Sequence, residues 1–120
     1  MLKVIGSIRK NLQSYNFAID GLKDLMSENN FKIQLMVASI TIILGVVFKL
    51  SYNHWVVIFL CIGIVLALEA INTAMEVFCN HMHPEKHVAI GRVKDISAAA
   101  VLISAVTSAI IGCLIFWQYF

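Results

Sequence analysis

The sequence predicts an all-α integral membrane protein, with three transmembrane helices after an N-terminal amphipathic helix that lies in the membrane interface. Three observations point there. Of 120 residues, 60% are hydrophobic and only 13% charged, whereas a soluble domain is about half apolar and about a quarter charged. A chain this short has too much surface for its volume to hide that apolar load in one core. The apolar residues also gather into three long runs, and period-two alternation is absent, which argues against a barrel. The net charge of +2 is mild and the basic residues are scattered, so no nucleic-acid partner is expected. Cys61, Cys79 and Cys113 form no CxxC pair and imply neither a disulfide framework nor a zinc site. The first residues lack a continuous apolar run and do not read as a signal peptide.

In residues 1–30, Leu2, Ile5, Ile8, Leu12, Phe17, Ile19, Leu22, Leu25 and Met26 recur at roughly helical spacing, with Lys3, Arg9, Lys10 and Lys23 between them. This fits a helix in the interface with its basic residues toward headgroups, or equally a surface helix packed on the bundle. Residues 31–50 form the first span. Between Ile33 and Phe48 its only polar groups are Gln34, Ser39 and Thr41, and Lys32 and Lys49 snorkel at its ends. Ser51 to His54 is a short turn, so the first two spans form an antiparallel hairpin. The second span covers about residues 55–79, beginning at the interfacial Trp55. Residues 80–95 are the one long polar stretch between spans, punctuated by Pro84 and Gly91. The third span, about 96–116, is rich in small residues early, and Trp117 and Tyr119 mark its far interface. Lysines and arginines concentrate in the N-terminal segment and in 80–95, which places both on the cytoplasmic side. The whole chain, 1–120, reads as one membrane-embedded domain.

The second span holds an anomaly. Glu69, Asn72 and Glu76 stand at i, i+3 and i+7, so at about 100° per residue Glu76 falls within about 20° of Glu69, two turns along. An isolated carboxylate in hydrocarbon costs at least about 2.5 kcal/mol, so two on one stripe call for a compensating cation or proton. A deep, desolvated carboxylate such as Glu69 suits a general base acting on a hydroxyl. The shallower Glu76 suits Mg²⁺, which takes hard oxygen donors and substrate phosphates. Lys94, where the polar stretch meets the third span, can meet phosphate at the membrane surface. Asp95 beside it reads as the N-cap of the third helix. Glu28 lies before the first span at the same membrane depth as Glu76. Glu85, Lys86 and His87 alone read as a solvated loop, and His81, His83 and His87 do not have zinc spacing.

Glu69-Ala-Ile-Asn72-Thr-Ala-Met-Glu76, followed by Lys94-Asp95 and a small-rich helix, resembles the prokaryotic diacylglycerol kinase family, which includes the undecaprenol kinases. Glu28-Asn-Asn-Phe31 resembles that family's E-x-x-F motif. The resemblance covers about residue 17 to the C-terminus and implies a homotrimer with active sites at protomer contacts near the cytoplasmic interface. It implies an ATP-dependent kinase of a membrane lipid alcohol, diacylglycerol or undecaprenol, in the bacterial plasma membrane. The loop from His83 to His87 looks closer to the undecaprenol-kinase branch. In this resemblance Glu69 is the base. Glu28 and Glu76 bind the Mg²⁺ that bridges the ATP phosphates. Asn72 and Lys94 orient and neutralise the transferred phosphoryl group, and Asp95 supports the nucleotide. Glu85 and His87, with Lys86 between them, fall at nucleotide-contacting positions. No Walker motif is present, and positioning with charge neutralisation suffices for this chemistry. One departure stands out: the family's signature ends in Asp where this chain has Asn80.

Two other classes share the intramembrane carboxylates. A small ion or proton transporter would move ions without ATP turnover, and the lack of broken helices and of a repeated half argues against it. A structural subunit would pair its carboxylates with a partner's Lys or Arg.

Overall fold

The computed structural model describes all 120 residues. It contains four helices and no strand: α1 Leu2–Leu25, α2 Asn29–Val47, α3 Tyr52–Met82 and α4 Val88–Trp117. The last three are long and apolar enough to cross a membrane, with mean hydropathies of 1.8, 2.4 and 2.4. At about 1.5 Å per residue α2 is about 28 Å long and α3 and α4 about 45 Å each. A hydrocarbon core is about 30 Å thick, so α2 just spans it and the other two overrun it. Both overrun at the same end, where α3 finishes and α4 starts.

The opposite end is tied down. Lys49 takes a left-handed backbone, φ 55°, and closes α2 through Leu50 N–H to Gly45 O (3.1 Å) and Lys49 N–H to Val46 O (3.2 Å). That paired geometry satisfies carbonyls a helix end otherwise leaves open. Leu50 then turns inward onto Ile58 and Ile115, and Trp55, Ile62 and Tyr119 pack around them. The Tyr119 hydroxyl accepts the Ser51 N–H at 3.0 Å and bonds His54 Nδ1 at 2.8 Å. Because its oxygen is an acceptor from Ser51, its own proton is free for His54. Phe48 meets Phe120 and Phe116 edge to face, with centroids 5.1 and 6.0 Å apart.

Helices α3 and α4 pack along their length, α2 touches α3 more sparingly, and α2 and α4 scarcely meet. Ser104, buried on α4, turns its hydroxyl back to Val101 O at 2.8 Å, so it adds no bulk at the contact. Only 11 of 120 residues are buried, and outward-facing residues such as Ile103, Val106 and Leu114 are exposed. Such a surface is stable against lipid, not water.

Several boundaries differ from the sequence expectation: α2 runs Asn29–Val47 instead of 31–50, and α3 begins at Tyr52 instead of 55, so that the turn expected at 51–54 lies mostly within α3. The first helix ends at Leu25 instead of 30, because Ser27 donates both its N–H and its hydroxyl to Asp24 O and turns the chain. Every α1 side chain is exposed except half-buried Leu25, so α1 is not a helix packed on the bundle. Helix α3 runs past 79 to Met82, and α4 begins at Val88 instead of Ile96. Asp95 is therefore not an N-cap. His87 is: its Nδ1 accepts Ala89 N–H at 3.1 Å, and Gly91 continues the helix.

Candidate active site

Helix α3 presents the polar stripe to the inside of the bundle. Glu69 is 3% exposed and Asn72 4%, and Glu76, nearer the helix end, is half-buried. Asn72 Nδ2 donates to Glu76 Oε1 at 3.5 Å, a long bond. The amide's other atom, Oδ1, is buried without any partner. Buried polar atoms are rarely left so, and an orphaned acceptor one helical turn from Glu69 is a place for a ligand's donor or a cation.

Glu69 lines a cavity of about 230 Å³, with Asn30 and Gln34 from α2 and Ala98, Val101 and Ala105 from α4. Ile33, Gln34 and Ala105 also line a larger apolar groove of about 840 Å³ between α2 and α4, floored by α3. The groove runs to Phe48, Phe116 and Phe120 at the far end. A buried carboxylate thus stands at the head of an apolar trough that opens where α2 and α4 diverge.

Glu28 and Glu76 are both near enough to act electrostatically on Glu69. Glu28 occupies the N-cap position of α2, and its side chain makes no capping bond, so the carboxylate is free. Lys94, half-buried on α4, donates from Nζ to Asn80 Oδ1 on α3. Asp95 follows it, exposed on α4.

A model of prokaryotic diacylglycerol kinases matches residues 16–116 of the chain. The chain belongs to the prokaryotic diacylglycerol kinase family. It is 39% identical over 90 residues to the undecaprenol kinase of Bacillus subtilis, an alignment covering 75% of this chain and 73% of that protein. It is 35% identical over 57 residues to the diacylglycerol kinases of Escherichia coli K12 and Shigella flexneri, covering 48% of this chain and 47% of each of those enzymes. The chain is thus a multi-pass membrane lipid kinase, a class that works with a nucleotide co-substrate.

Within this kinase the fold gathers some of the expected residues and leaves others apart. Glu69, Asn72 and Glu76 share one face, with Glu28 close by. Glu85 and Lys86 are exposed in the connection between α3 and α4, about 10 Å beyond Glu76 along the helix axis at about 1.5 Å per residue. His83 Nδ1 donates there to Glu85 O at 2.9 Å, and its ring lies 5.0 Å from that of His87. Because Ala89 N–H occupies His87 Nδ1, the neutral His87 ring carries its proton on Nε2 and offers a donor to a ligand. No three His, Cys, Asp or Glu side chains form a ready-made metal cluster. A divalent ion here would need phosphate oxygens besides Glu28 and Glu76, which is how Mg²⁺ is commonly held. The all-oxygen donor set and the orphaned Asn72 Oδ1 fit that ion.

Sequence reasoning missed Asn30 and Gln34 as cavity walls. The signal was present: with Thr41, which lines the groove, they are polar residues at helical spacing on an otherwise apolar span.

Proposed function

We propose that this lipid kinase transfers the γ-phosphoryl group of ATP to the hydroxyl of undecaprenol at the cytoplasmic face of a bacterial plasma membrane. The observation that supports it most is Glu69, a carboxylate 3% exposed at the head of an apolar groove of about 840 Å³. A lipid alcohol laid in the groove brings its hydroxyl to that carboxylate. Glu69 takes the hydroxyl proton while the oxygen forms a bond to the γ-phosphorus. The bond from that phosphorus to the β–γ bridging oxygen breaks, and ADP leaves with the electron pair. Asn72 orients the phosphoryl group, and Lys94 offsets its negative charge. Glu28 and Glu76 would hold Mg²⁺, which when bound shields the phosphate charge and fixes the phosphate geometry. Asp95, Glu85, Lys86 and His87 line the route of the nucleotide along the overrunning ends of α3 and α4.

Undecaprenol is preferred because the alignment with the Bacillus subtilis undecaprenol kinase is both longer and more nearly identical than those with the diacylglycerol kinases. Diacylglycerol is the second reading, supported by the 35% identity to the Escherichia coli enzyme. Residues 1–120 act as one kinase domain. The basic N-terminal segment and the 83–87 connection face the cytoplasm, where ATP is found. Three copies assemble as a homotrimer, a reading that the family resemblance supports and that the scant burial within one chain accommodates.

The test is turnover by purified protein in mixed micelles with ATP, Mg²⁺ and each lipid alcohol alone and in competition. Undecaprenol is the better substrate, and Glu69→Gln lowers kcat by about 10²–10⁴-fold, the range for loss of a general base. A fully active Glu69→Gln protein would remove the base assignment, and a preference for diacylglycerol would reverse the choice of lipid.

A further inference from the structure

We infer that Asn80 is a positioning residue for phosphoryl transfer, holding the Lys94 ammonium on the line of the Glu69–Glu76 stripe. The inference rests on the reading of Lys94 above. Asn80 follows Glu76 by four residues and Glu69 by eleven, so at about 100° per residue it falls within about 20° of Glu69's direction. It thus extends the stripe by one turn, about 6 Å past Glu76. The Lys94 side chain comes from α4, and free in solution its four-carbon stem would sample many rotamers. Here its Nζ donates to Asn80 Oδ1 across the α3–α4 contact. Those two helices are the most extensively packed pair in the molecule, so the tether has rigid supports at both ends. Lys94 is half-buried and Asn80 exposed, and one bond to Asn80 uses one of the three N–H donors of an ammonium, leaving two for a phosphate.

The identity of the tether matters as well as its place. A carboxylate at this position would hold Lys94 equally well while cancelling its charge. The neutral amide fixes the ammonium without pairing it, so Lys94 meets the nucleotide phosphates at full charge. Position and charge are therefore separable at residue 80.

Three variants test this, each assayed for kcat and for the KM of ATP and of the lipid, with helix content checked by circular dichroism. Asn80→Ala lowers kcat roughly tenfold, the scale of one hydrogen bond to a charged group, and leaves the lipid KM unchanged. Asn80→Asp restores kcat, because its oxygen takes the same bond, and raises the KM of ATP several-fold by partial neutralisation of Lys94. Lys94→Gln is inactive. A parent-like Asn80→Ala beside an inactive Lys94→Gln overturns the positioning role alone. An Asn80→Asp protein as slow as Asn80→Ala also overturns it, since the amide N–H would then be the working group. A fully active Lys94→Gln overturns the Lys94 reading on which the inference stands.

Discussion

Where α2 meets α3 near the hairpin, a side chain is missing for a reason. A Cβ on Gly45 would lie 2.7 Å from Trp55 Cη2, 3.0 Å from Cζ2 and 3.1 Å from Leu50 Cδ1. Gly45 is buried, and the indole against it is a wide, stiff plate also stacked on Phe59 with centroids 5.6 Å apart. The ring cannot give way locally, so Gly45→Ala pushes α2 off α3 and loosens the Leu50–Ile58–Ile115 cluster. Overpacking of this kind costs about 1–3 kcal/mol. The protein is expected to unfold at lower temperature in detergent, with activity per folded molecule reduced less than stability. An unchanged melting temperature would mean that Trp55 has room to move. Asn72 is the opposite case, a buried residue whose Oδ1 lacks a partner. At Gly45 the fold avoids a clash, whereas at Asn72 it tolerates an unsatisfied atom. The first serves packing, and the second leaves an acceptor open to a ligand.

The start of α4 decides where Lys94 stands. With a helix from Val88, Lys94 lies on the second turn, beside the last turns of α3; with a helix from Ile96 it would be in a loop. Gly91 is the residue that hides this, since glycine in a polar stretch suggests a break. Here it has no positive φ, and a Cβ added to it meets nothing within 4 Å. Gly91→Ala should therefore stabilise α4 by about 0.5–1 kcal/mol through lower backbone entropy in the unfolded chain. A raised melting temperature with the kinase turnover retained is the expected result, and a destabilised protein would show that another body packs against this turn. The spans and the Glu69–Asn72–Glu76 face were legible because periodicity and hydropathy are local properties of the chain. The cap was not, because His87 is an unusual capping residue and its role depends on ring orientation. The cavity walls Asn30 and Gln34 acquired meaning only when α2 was placed beside Glu69. The Asn80–Lys94 bond joins residues 14 apart, and neither spacing nor propensity predicts a pair across two helices.

The molecule as a whole is two bodies with different supports. Helices α2 to α4 hold one another, while α1 stands off them, exposed along its length. A 24-residue helix with no partner within the chain lacks the packing that gives most protein helices their stability, and a membrane surface is the support its sequence favours. Its residues are arranged for that. Val4, Ile5, Ile8, Leu12, Tyr15, Ile19 and Leu22 fall on one face, and Lys3, Lys10 and Asp24 on the opposite one, an apolar arc of about 100° at the helical repeat. Phe17, 74% exposed on the polar side, and Lys23, at the edge of the apolar arc, break the pattern. A charge on the apolar arc, as in Ile8→Asp with Ile19→Asp, should release α1 from the bilayer and leave the bundle intact. Trypsin then cuts at Arg9, Lys10 and Lys23 far faster in the variant than in the parent reconstituted in the same vesicles, while the melting temperature of the remainder stays near the parent value. Helix content should fall by about the share that α1 contributes, since a helix of this length loses its main support off the surface. If α1 instead docks on a second copy of the bundle, the substitutions would lower the melting temperature and the oligomer size together. The two outcomes separate lipid from protein as the support for this helix.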